Sequence, residues 1–259
     1  MRSPWFAIVI ILAGAAPAAA QADRPAAASA DEVTADAPTP APAAATSPSM
    51  VAGFWHELKG IGSSPNLYTL ALGAGLAVAV HPTEEMLAGP AVRSDELNEL
   101  LEGGGYWGNG LTQFGGAIIT YAVGRAFDKP VVRSIGGDLF QAQLLNSGLT
   151  QAVKFAARRT RPDGGHYSFP SGHTSGTFAT ATVLSRHLGW KVAVPAYGIA
   201  TYVAASRVQD NHHYISDVVF GAAVGIVSGR TMTVGRGAAT FEVVPGVVPG
   251  GGAVMLSLK

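Results

Sequence analysis

The chain has 259 residues, with 17 Lys and Arg set against 17 Asp and Glu, so it carries no formal charge when histidine is neutral. That balance gives no reason to expect nucleic acid as a partner. The absence of cysteine excludes a disulfide framework and a thiolate metal site, and fits an exported bacterial protein.

Met1-Arg2 precedes an apolar run from Pro4 to Ala16 and the small-residue stretch Pro17–Ala22. Residues 1–22 therefore read as a secretory signal peptide, with Ala18-x-Ala20 and Ala20-x-Ala22 both fitting a cleavage site. This predicts an exported, periplasmic protein; an uncleaved anchor is the alternative, although the run is only marginally long enough to span a bilayer. Residues 23–50 read as a disordered linker. Positions 23–49 hold ten alanines and five prolines and nothing large to bury, so ordering them would not be offset.

The remainder, 51–259, has the size of one domain able to bury a substantial core, with its functional core over about 110–230. Phe54 to Leu58 starts a short amphipathic piece. Asn66 to Val80 is apolar but short for a membrane span and reads as a buried helix ending at His81-Pro82. A short helix follows over about 94–102, capped by Ser94 and stopped by Gly103-Gly104-Gly105. Further helices are predicted over about 110–126, 131–159, 172–188, 191–206 and 213–229. Their small residues, among them Gly176, Ala179, Gly221 and Gly225, permit close helix approach. Thr240 to Pro245 and Ala253 to Leu258 read as two strands of a short C-terminal β-hairpin packed outside the bundle. The predicted fold class is all-α, a bundle of about six core helices with that hairpin appended.

Three blocks carry chemistry. Lys154, Arg158 and Arg161 fall near one stripe if the helix runs to Pro162, since residues seven apart are almost two turns apart, and three cations on one face suit a phosphate. In Pro170-Ser171-Gly172-His173 a serine cap, a glycine and the free N–H groups of a helix start make an anion cradle, with His173 at its rim. In the last block Asp210 or Asn211 can cap a helix whose first turn holds His213 and Asp217. At that spacing Asp217 can accept the imidazole Nδ1–H and leave Nε2 of His213 free as a nucleophile. Arg207 adds a forked donor for phosphate oxygens.

Lys154 to Arg161-Pro162, Pro170 to His173, and Ser206-Arg207 with His213 and Asp217 together resemble the signature of the type 2 phosphatidic acid phosphatase superfamily, which includes bacterial acid phosphatases and vanadium haloperoxidases. The direct match covers about residues 150–220, and every motif position is filled. The resemblance implies a metal-independent phosphatase, without cofactor, acting on phosphomonoesters or lipid (di)phosphates through a phosphohistidine. His213 would attack phosphorus, His173 would serve as acid and then base, and Asp217 would hold His213. Lys154, Arg161, Ser171, Gly172 and Arg207 would bind the phosphoryl oxygens, with Arg158 and His166 as further substrate contacts. His213 is expected neutral and His173 protonated, giving a bell-shaped pH dependence. His212 has Ser216 rather than a carboxylate four residues on, which ranks it below His213. The substrate is a small-molecule or lipid phosphate, and association with a membrane surface stays open. Two alternative functions remain: a vanadium-dependent haloperoxidase, and a non-catalytic module binding phosphate or lipid headgroups.

Overall fold

Several helices in this chain start where the sequence supplies a cap or a proline. The computed structural model describes residues 54–55, 57–84, 86 and 95–233, and the backbone of 241–248 and 251–258. Among these residues run α1 (Ser64–Val80), α2 (Asp95–Leu101), α3 (Gly104–Gly108), α4 (Gly110–Ala126), α5 (Pro130–Ala157), α6 (Gly172–Leu188), α7 (Trp190–Gln209) and α8 (Ile215–Thr231). The Asn109 side chain caps α4 by accepting from the Leu111 N–H, and Pro130 opens α5 where its missing N–H costs nothing. Ser171 caps α6 through the Thr174 N–H, and Gly189 ends it at a φ of 76°, a left-handed conformation that glycine adopts without strain. The segments read as signal peptide and linker, and the expected cap Ser94, lie outside the described residues.

A cluster of Ala117, Ile135, Leu139, Ala142, Leu145, Val183 and Met232 joins α4, α5 and α6 to the end of α8. Close approach of α8 to α6 depends on a stripe of glycine. A Cβ at Gly225 would stand 2.2 Å from the Ser175 carbonyl oxygen, and at Gly221 2.8 Å from that of Ser171, so alanine at either position would force the backbones apart. The same approach aligns the two helix starts, and the Ser171 N–H donates to the Asp217 carbonyl over 3.0 Å. Beyond the bundle, the backbone of Phe241–Val248 pairs antiparallel with Gly251–Leu258, Phe241 opposite Leu258. Their side chains lie outside the described residues.

Three local expectations are corrected. α5 stops at Ala157 rather than running towards Pro162, because Arg158 turns left-handed at a φ of 48°. Lys154 and Arg161 therefore do not share a helical stripe; Arg161 belongs to the loop beyond. α8 starts at Ile215, so His213 precedes it, and Tyr214 rather than Asp210 or Asn211 occupies the cap position. Gly103 to Gly105 does not simply end α2. It leads into α3, a five-residue helix set against α7.

Candidate active site

Asp217, in the first turn of α8, is fully buried and saturated with donors. Its Oδ2 accepts the Tyr214 N–H at 2.9 Å, the Ser168 hydroxyl, and Nδ1 of His213 at 3.4 Å. Its Oδ1 accepts Nη1 of Arg159 at 2.8 Å. Arg159 is itself clamped: Nη1 also donates to Ser216 Oγ at 2.7 Å, Nη2 donates to Glu84 Oε2 at 2.5 Å, and the guanidinium lies 4.0 Å over the Tyr214 ring. Glu84, 3% exposed, receives the Ser216 N–H at 3.1 Å through its other oxygen.

Burial alone would raise the Asp217 carboxyl, but the bonds from His213, Ser168 and Tyr214, with the Arg159 charge, hold it below its ordinary value. Burial also works against Glu84, and the Arg159 and Ser216 donors overcome it. For His213, burial outweighs the pull of Asp217 and pushes the imidazole down. His213 is thus a neutral ring with its Nδ1–H committed to a carboxylate and its Nε2 left to act.

His173, in the first turn of α6, is held differently. Gly108 at the end of α3 lies against it, since a Cβ there would stand 2.7 Å from the His173 Cβ and 2.9 Å from Cδ2. Burial first, then the charge of Arg207 and the neighbouring His213, His212 and Arg161, push His173 down to about 4. Where the sequence suggested a protonated His173, burial and the surrounding cations favour the neutral ring. Burial and Arg161 likewise lower Lys154 to about 8.

The charge of Arg161 bears on Lys154, His173, Arg207 and His213, which places these five groups in one cluster. Nε of Arg161 and Nε of Arg207 are buried without a partner in the protein, while Nη1 of Arg207 donates to Asp210 at 2.9 Å. Lys154 Nζ donates to the Tyr167 and Ser168 carbonyls. Ser171 Oγ accepts from Thr174 Oγ1 at 3.0 Å and keeps its own hydroxyl hydrogen to give. The N–H groups of Gly172 and His173 fall in the first turn, where no helix carbonyl faces them.

Arg158 and His166 are both exposed. Arg158 Nε folds back onto the Phe155 carbonyl, and His166 packs edge-on against Tyr167. His212, 42% exposed, sits 4.0 Å from Asp163. The sequence reading missed Glu84, Arg159, Ser168 and Gly108. A cavity of about 220 Å³ opens beside His173 and Lys154 and runs between α4, α5 and α6. Among the described residues no group of three or more His, Cys, Asp or Glu stands where it could hold a metal ion.

A family model described as the PAP2 superfamily matches residues 114–240. A lipid A 1-phosphatase from Porphyromonas gingivalis is 42% identical over 90 residues, 33% of this chain and 20% of that protein. Lipid phosphate phosphatase 2 of Arabidopsis thaliana is 31% identical over 138 residues, 36% of this chain and 47% of that protein. The chain thus spans less than half the length of these curated relatives. Among solved structures, Aquifex aeolicus LpxE aligns with a TM-score of 0.49 at 24% identity, over 58% of this chain and 92% of that one.

Proposed function

Because this chain belongs to the PAP2 superfamily, we propose that it is a phosphatase that hydrolyses phosphomonoesters or lipid phosphates through a phosphohistidine on His213, needing neither metal nor cofactor. The observation that carries this reading is the pairing of a carboxylate-held, neutral His213 with a second imidazole, His173, inside one cluster of Lys154, Arg161 and Arg207. A site that only bound phosphate would need the cations but not the paired rings.

In this reading Nε2 of His213 attacks phosphorus as the P–O bond to the alcohol breaks, and His173 delivers a proton to the departing oxygen. His173 then takes a proton from water as the P–N bond is cleaved, which frees Nε2 of His213, and that proton leaves with the phosphate as its monoanion, so both rings return to their neutral starting state. Lys154, Arg161, Arg207, the Ser171 hydroxyl and the Gly172 N–H surround the equatorial oxygens, where charge spreads in the transition state. One such donor is worth about 2.7–4 kcal/mol in comparable sites. Since His173 is neutral above about pH 4, its first proton comes in with a monoanionic ester and moves to the ring as the phosphate settles among the cations.

Large apolar side chains stand exposed on α1 (Leu67, Leu72, Val78), on α4 (Leu111, Ile118, Ile119) and on α7 (Trp190, Val194). No helix among the described residues is long and apolar enough to cross a membrane. We therefore place the enzyme at a membrane surface, exported by its N-terminal segment. Release of inorganic phosphate from a monoester and from phosphatidate, lost in His213→Ala, together with an acid-labile phosphoenzyme, tests the chemistry. Co-sedimentation with phospholipid vesicles tests the location.

A further inference from the structure

The cavity beside His173 is lined along α5 at intervals of three and four residues, from Lys154 through Thr150 and Asn146 to Gln143. Those residues form one stripe three helical turns long, leading away from the phosphate cluster. The cavity shares His173 with the cluster, and in the proposed mechanism His173 stands beside the departing oxygen, so the cavity begins where the alcohol leaves. Its volume of about 220 Å³ lies below the roughly 300–1,000 Å³ of pockets that enclose a drug-sized ligand. It admits a group the size of one ring, not a whole lipid.

The inner end of the cavity is closed by bonds within the protein. Gln143 Nε2 donates to the Gly176 carbonyl at 2.9 Å and to Thr180 Oγ1 at 3.0 Å, Thr180 donates to Gln113 Oε1 at 2.5 Å, and Gln113 Nε2 donates to the Trp107 carbonyl at 2.6 Å. Nearer the mouth, Thr150 pairs with Ser175 at 3.1 Å. Asn146 is outside this network. It lines the cavity, is only 3% exposed, and its Oδ1 has no hydrogen-bond partner. A buried amide oxygen without a donor is unfavourable, and the donors of Gln143 and Thr150 on the same stripe are already taken.

We propose that this cavity seats the alcohol part of the substrate, and that this part carries a hydroxyl or amide hydrogen which Asn146 Oδ1 accepts. The substrate class is thereby narrowed to esters of polyol-like or sugar-like alcohols, with any acyl chains lying outside the cavity. A plain hydrocarbon alcohol would fill the same space and leave Asn146 unpaired, which costs roughly tenfold to a hundredfold in kcat/KM.

This rests on the phosphatase reading for its kinetic arm, so the test has a second arm that does not. With the full-length protein, kcat/KM is measured on glucose 1-phosphate and on cyclohexyl phosphate, a ring of similar size without hydroxyls. The wild type should favour the hydroxylated ring at least tenfold, and Asn146→Leu should bring the ratio close to one. Equal turnover of both esters by the wild type, or an equal loss on both in Asn146→Leu, overturns the proposal. Calorimetric binding of the same two esters to His213→Ala reads the cavity without turnover. Preference for glucose 1-phosphate there, lost in the His213→Ala/Asn146→Leu double variant, supports the cavity assignment even if the wild type releases no phosphate. Indifference there rejects the assignment even if the wild type is an active phosphatase.

Discussion

The two imidazoles of the site are held by opposite means. His213 is 4% exposed, and the carboxylate that bonds its Nδ1 is fixed in turn by Ser168, Tyr214 and Arg159, the last braced by Glu84. Among the described residues no side chain hydrogen-bonds the His173 ring, which is placed instead by the glycine surface of α3 and by the cations around it. A nucleophile gains from a single fixed tautomer. A group that must give a proton in one step and take one in the next gains from having no partner that favours either state. In the proposed mechanism the contrast between a bonded ring and an unbonded one separates the two roles.

The largest effect should come from removing the bonded ring. His213→Ala is expected to lower kcat by about four orders of magnitude, as loss of a nucleophile does in other hydrolases. His173→Ala should also be slow, yet with an aryl phosphate as substrate it should accumulate the phosphoenzyme, because the leaving group then needs no acid. Rapid-quench labelling separates the two variants. Equal labelling of both would erase the distinction between the two rings.

Gly108→Ala probes the unbonded ring by shape alone. The added methyl meets both His173 and Val203 at 2.7 Å, so the imidazole must shift. A displacement on the order of 1 Å can cost about a hundredfold in rate. The loss should fall on alkyl esters and be much smaller for aryl phosphates. A uniform loss across both would mean that the methyl disturbs the fold rather than the acid.

Much of this arrangement was legible in the sequence. The bounds of α6 followed from the Ser171 cap and Gly189, α4 ends ahead of Lys129-Pro130, and Asp217 accepts from Nδ1 of His213 at the four-residue spacing the sequence shows. What was not legible depends on contacts between distant segments. The sequence marks Arg158 as a substrate contact and gives Arg159 no role, yet the left-handed turn at Arg158 ends α5 early, leaving one guanidinium exposed and setting the other onto Asp217. Glu84 lies 75 residues before Arg159 and 132 before Ser216, with no local pattern to mark it. Gly108 carries no signal without the neighbour it touches.

Glu84→Gln tests whether the outer part of the bonded network matters. It leaves the Arg159–Asp217 contact in place but removes the anion on the far side of Arg159. Asp217 should be held less firmly, lowering kcat about tenfold with little change in KM. Arg159→Met removes a cation that holds the Asp217 carboxyl low, so protonation of Asp217 should join that of His173 on the acid limb and move it upward. A purely structural role would lower Tm and leave the limb in place, so thermal denaturation and the pH profile are read together.

The smallest effect is a shift in the alkaline limb. Above about pH 4 the free site holds His173 neutral, so the proton needed on the leaving oxygen arrives with a monoanionic ester, whose second ionisation lies near about 6. A neutral ring meeting a monoanion has the same proton count as a charged ring meeting a dianion. It follows that kcat/KM falls on the acid side as His173 gains a proton near 4, and on the alkaline side as the substrate loses one. The bell should then sit in the acidic range, and its alkaline limb should follow the substrate's own second pKa, shifting by a fraction of a pH unit between an alkyl and an aryl phosphate. His213, already pushed down by burial, adds nothing to that limb. If the limb is identical for both esters, the titrating group is on the protein, and His173 would then hold its proton despite the cations that surround it.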